Sequence, residues 1–138
     1  MNWQNSTLAA LAMALASAIL PGSAAAWVAG NSQHVNPVSP DVFEVVGRAG
    51  SSNVDYWCAA GDYARRVLDA PLHQRIYLVR GRAHAETENR KSAVQFSLLQ
   101  PVDADTRTGL LLSATRVGEN LSAAMAFNYC LQRKSDTG

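Results

Sequence analysis

The sequence predicts an α+β domain: a mainly antiparallel sheet of three or four strands, two helices on one face and one disulfide. Three observations predict it. Several short segments alternate apolar and polar residues with the period of two expected of half-buried strands. Two longer segments repeat their apolar residues at the helical period. The connections between the later strands are polar and only about ten residues long, which disfavours the helical crossovers of a parallel sheet.

The chain begins with Leu8 to Leu20, an uncharged Ala/Leu-rich run. Pro21-Gly22 interrupts it, and Ala24-Ala25-Ala26 then offers the small-residue pattern that a signal peptidase reads before Trp27. Residues 1–26 are therefore read as a signal peptide. A retained anchor is the competing reading, since Met1 to Thr7 carries no Lys or Arg. The apolar run, though, falls short of the roughly 20 strongly apolar residues that a span needs. No cysteine stands at the cleavage site for lipid attachment.

Trp27 to Pro40 is polar, uncharged and punctuated by Pro37 and Pro40, so it reads as an extended or flexible arm. The domain proper is placed at 41–134. Asp41 to Arg48 alternates as a strand, with Phe43 and Val45 on one face. Ala49 to Asn53 is a turn whose Ser52 or Asn53 can cap the helix expected after it. Asp55 to Leu68 is the best helix. Tyr56, Trp57, Ala60, Gly61, Ala64, Val67 and Leu68 share one side, while Asp62, Arg65 and Arg66 share the other. The small residues of that stripe allow a close approach by a sheet or a second helix. Cys58 falls on the polar side, and Pro71 lies just beyond the helix.

Gln74 to Gly81 and Ser92 to Leu99 alternate as strands, and Gly109 to Thr115 is expected to be a third. Asn120 to Lys134 reads as a closing helix, with Ala123, Ala124, Phe127, Cys130 and Leu131 on one face. The last four residues, 135–138, are read as a frayed tail.

About 110 residues after the leader make one domain, not two. The 12 basic residues, 10 of them Arg, nearly balance 11 acidic ones, for a net charge of +1. That balance argues against nucleic-acid binding and against attachment to a membrane surface after cleavage. Cys58 and Cys130 are the only cysteines, and an even pair in an exported chain reads as a disulfide. A reactive thiol at Cys58, near a helix start, is the rival reading.

Chemistry-bearing residues are sparse. His84, Glu86 and Glu88 alternate, so an extended backbone would aim all three the same way, a weak candidate for a divalent metal. The ordinary reading of such a charged stretch is a solvated loop. Arg80, Arg82, Arg90 and Lys91 could hold an anion, but Glu86 and Glu88 lie among them and largely cancel the field. Asp103 to Gly109 starts like a calcium loop yet has Arg107 and Ala114 where oxygen ligands are needed, and so reads as a turn. Asn120-Leu121-Ser122 fits a glycosylation acceptor, of consequence only in a eukaryotic host. No phosphate loop, GxSxG elbow or HExxH helix occurs. His34, His73 and His84 are scattered, no catalytic residue is assigned and no cofactor is expected. Tyr56, Trp57, Tyr63, Arg65 and Arg66 form an aromatic patch beside charge, a possible partner surface, with a core role as the simpler reading for the rings.

The string Tyr56-Trp-Cys-Ala-Ala-Gly-Asp-Tyr-Ala64, followed by Ile76-Tyr-Leu-Val-Arg-Gly81 and Tyr129-Cys130, resembles small exported bacterial proteins without an assigned activity. The resemblance spans roughly residues 41–131. It implies export and a Cys58–Cys130 pair, and it carries no activity with it. The expected function is that of a periplasmic or secreted, non-catalytic binding or accessory module acting on a protein partner. A small hydrolase and a secreted inhibitor or neutralising protein are the alternatives.

Overall fold

The computed structural model describes residues 26–135, so the stretch read as a signal peptide, Ala26 apart, and the last three positions lie outside the described residues. The elements run β1 (Trp27–Val28), β2 (His34–Pro37), β3 (Val42–Val46), α1 (Asn53–Arg66), β4 (Arg75–Ala83), β5 (Ala93–Ser97), β6 (Asn120–Ser122) and α2 (Ala123–Ser135). All strands join one antiparallel sheet in the order β1-β2-β3-β5-β4-β6. The α+β class, the antiparallel sheet, the two helices and the disulfide are as expected. The strand count is corrected from three or four to six.

The extra strands arise where local pattern is weak. Two lie in the stretch read as an arm. Val35 there is fully buried, and β2 pairs with β3 from His34 opposite Val46 to Pro37 opposite Phe43. Pro37 lies at the strand end, where a missing N–H is tolerated. The third is β6, at the start of the segment read as the closing helix; it pairs with Arg75 to Tyr77 of β4. Gly109 to Thr115 is not a strand. Hydrogen bonds from β6 occupy the β4 edge, and Leu110 and Leu111 are exposed. That connection is held instead by isolated ties, among them the Trp57 indole N–H donating to the Ser113 carbonyl at 2.7 Å.

Helix α1 starts where Ser52 has extended backbone and its N–H donates to the Asp55 carboxylate at 2.8 Å. It ends at Arg66, and Asp69 then takes φ 53° ahead of Pro71. One side of the helix packs across β2, β3 and β4, and α2 packs along the helix as well. Residues Asp55 to Ala64 are therefore buried all the way round. Trp57 meets Phe96 edge-on at 4.8 Å, and Tyr63 meets Phe43 at the same distance. Ile76, Leu78, Val94 and Phe96 complete the core from the sheet.

The disulfide joins the two helices directly, with Cα atoms 4.9 Å apart. The helical wheel suggested an inward Cys130 and a flank position for Cys58. The burial is the reverse: Cys58 is sealed and Cys130 is half-buried. The cause is α2, which covers the side of α1 that would otherwise face water.

Candidate functional site

An apolar groove of about 380 Å³ opens at the end of the sheet where β2 passes into β3 and β5 ends. Phe43 and Tyr63 line it from the core side, Leu98 and Leu99 from the β5 end, and Leu68 from beyond α1. Leu99 and Leu68 keep 59% and 40% of their surface exposed. Pro37 and Pro40 stiffen one wall, and Asp41 is the only charged residue lining it. Burial pushes the Tyr63 phenol pKa up, so the ring faces the groove as a neutral group. Such a concavity desolvates apolar side chains and has little with which to activate a bond.

Of the five residues read from α1 as a partner surface, only Arg65 and Arg66 reach solvent. Tyr56, Trp57 and Tyr63 are buried, each supporting the core, and only Tyr63 borders the groove. Both arginines are engaged within the fold. Arg66 grips Asp62 through Nε and Nη2 at 2.7 Å and stacks 5.1 Å above Trp27, while Arg65 lies 5.1 Å over Phe127. Asp62, placed on the polar side of the wheel, is buried and accepts the Gly30 N–H at 2.8 Å.

The second sheet face carries the polar partners of the alternation, and the β4–β5 connection covers it at Glu44. Glu44 of β3 is fully buried beside Asn36 of β2 and Gln95 of β5, its cross-strand neighbours. Its carboxylate accepts the N–H groups of Glu86 and Thr87, the Thr87 hydroxyl at 2.7 Å and the Gln95 amide at 2.9 Å. Arg80 stands 3.7 Å away. Burial raises the pKa of Glu44; the hydrogen bonds from Gln95, Glu86 and Thr87 outweigh it and hold the carboxyl below the ordinary glutamate value. An anion so saturated is an anchor for the β4–β5 connection, not a proton shuttle.

The metal candidates are drawn apart by this same connection. Glu86 pairs with Arg80 at 3.5 Å. Glu88 accepts from the His34 ring at 2.8 Å and from the Asn36 amide at 3.0 Å. His84 is exposed, with its carbonyl bound to Arg80. Among the described residues no group of three His, Cys, Asp or Glu is placed to hold a metal ion. In the 103–109 turn Arg107 neutralises Asp105 through a forked contact at 3.0 and 2.9 Å. The amide of Asn120, the acceptor-pattern residue, is buried and donates to the carbonyls of Thr106 and Gly118. Sequence reasoning missed Glu44 and the groove. An acidic residue between Phe43 and Val45 was the one available signal for Glu44, and the groove's lining comes from four separate segments.

No protein-family profile, no curated protein and no solved structure matches the chain.

Proposed function

We propose that this is an exported, non-catalytic binding or accessory module that takes an apolar segment of a protein partner into the groove beside Tyr63. The observation that carries the reading is the groove itself, with Leu68 and Leu99 left exposed at its lip. A cleft of this character gains affinity by removing apolar surface from water, about 25 cal/mol per Å². Three features support export. The Leu8–Ala26 stretch has the anatomy of a leader, the disulfide belongs to an oxidising compartment, and the α1 string resembles small exported bacterial proteins. Among the described residues no helix is long and apolar enough to cross a membrane.

The test is site-specific photocrosslinking in the intact cell envelope. A photoreactive residue at Leu99 should yield a discrete protein adduct that disappears in L68D, and the same residue at exposed Val102 should yield none. Equal adducts at Leu99 and Val102, or no adduct at Leu99, would reject the groove as the docking site.

A further inference from the structure

A second, smaller pocket lies on the polar side of the sheet, at the end opposite the apolar groove. It has a volume of about 220 Å³ and is lined by Ser32, His34, Val46, Gly47, Arg48, Glu88 and Arg90. The fold brings two cations there, Arg48 and Arg90, from separate segments. Gly47 donates its N–H to the Ser92 carbonyl at 2.8 Å, which sets Arg48 beside Arg90 and Lys91. Ser92 also bonds the Tyr56 hydroxyl at 2.7 Å, and Arg82 lies 4.9 Å above that tyrosine's ring. Arg48, Arg82, Arg90 and Lys91 are all exposed. Gly47 lets the Tyr56 hydroxyl reach Ser92, since a Cβ there would strike that hydroxyl.

Of the lining residues Arg48 and Arg90 are cations and Glu88 is a carboxylate held in its charged form, so the lining carries an excess of positive charge. Glu88 lines the pocket, but its Oε1 accepts from His34 and Asn36. Asp55, on the far side of Arg48, caps α1 by accepting the Ser52 N–H. Glu86 pairs with Arg80 and is not among the residues lining the pocket. Among the described residues the Arg48 guanidinium has no hydrogen bond or ion pair, and Arg90 faces Glu88 only through space. Glu86 thus offsets Arg80 and Glu88 offsets Arg90, as sequence order suggested, and Arg48 is the cation of this lining that they leave over.

We propose that this pocket binds a tetrahedral oxyanion, the phosphate or sulfate group of a small ligand, clasped between Arg48 and Arg90. The planar guanidinium forks match such oxygens two at a time, which a lysine ammonium does not. The Ser32 hydroxyl, on the pocket wall, supplies a neutral donor. Nothing here depends on the groove beside Tyr63.

The test is titration of the full mature protein with inorganic phosphate, sulfate and glycerol 3-phosphate, with chloride at matched ionic strength, followed by amide NMR shifts. Saturable shifts confined to residues 32–34, 46–48 and 88–91 are expected. R48A/R90A should weaken binding at least tenfold and R48K/R90K several-fold, with R107A within twofold of wild type. The lysine pair preserves charge, so it also guards against loss of fold. Tighter binding of glycerol 3-phosphate than of both inorganic ions assigns an organic phosphate as the ligand, and the reverse order assigns the free oxyanion. No saturable shift with any of the three, or shifts matched by chloride or unchanged in R48A/R90A, would overturn the site.

Discussion

Glu44 shows how one side chain organises half of the sheet's surface. It stands in a strand between Phe43 and Val45, where burial of a charge costs several kcal/mol unless the charge is hydrogen-bonded. The donors come from Gln95 across the ladder and from Glu86 and Thr87 in the β4–β5 connection. Truncation by Glu44→Ala leaves those donors buried without a partner, so urea unfolding should show a loss of about 3 kcal/mol. A loss under about 1 kcal/mol would mean that water replaces the carboxylate without cost. The pH dependence has a definite sign. The folded-state pKa lies below the ordinary 4.5, so this contribution is complete above that value and fades as pH falls through the lower folded value. Wild-type stability should therefore drop more steeply than that of Glu44→Gln on acidification below pH 4.5. Glu88 also titrates low, and it is common to both proteins. Parallel curves would remove Glu44 as the source.

At the scale of elements, the contact between the two helices turns on Gly61. Alanine is the better helix former by up to about 1 kcal/mol, and on an isolated helix Gly61→Ala would stabilise. Here a Cβ would sit 2.4 Å from the Phe127 nitrogen and 2.7 Å from the Ala126 carbonyl carbon. Backbone cannot swing aside as a side chain can, so overpacking of about 1–3 kcal/mol outweighs the propensity gain. Gly61→Ala should lower stability by about 2 kcal/mol, read as a shift in urea midpoint at unchanged slope. A stabilised variant would show that α2 slides to make room. The Ala60-Gly61-Ala64 stripe was legible in the sequence as a site of close approach. That the close partner is α2 was not, because the stripe fits a sheet equally well.

For the molecule as a whole, the disulfide closes a loop with a sequence separation of 72 between α1 and α2. On the chain-entropy model that bridge contributes about 4 kcal/mol, comparable to the net stability of a small domain. Because Cys58 is sealed in the core, native resistance to alkylation would not distinguish a bridge from a buried thiol. The decisive experiment is alkylation in denaturant, read by intact mass. The chain should take up no reagent before reduction and two equivalents after it. C58A/C130A should lose about 4 kcal/mol relative to the oxidised protein. Uptake in denaturant without reductant would restore Cys58 as a candidate reactive thiol. The same masses, read on protein produced with residues 1–26 in place, report whether the chain is cut before Trp27.

What the sequence determined by itself was whatever depends on neighbours in the chain. The alternation placed β3, β4 and β5, and it grouped Phe43 and Val45 on the one face of β3 that is turned to the core. The helical period and a cap at Ser52 or Asn53 placed α1, and an even pair of cysteines placed the bridge. Only the tertiary structure decided β1, β2 and β6, since strands of two to four residues are too short to carry a period and exist through their ladders. It also decided which charges are free. Glu44 meets Glu86 and Thr87 more than forty residues along, His34 takes Glu88 from still farther, and Arg48 is left beside Arg90. A charge acts through the distances and the dielectric around it, and sequence order specifies neither.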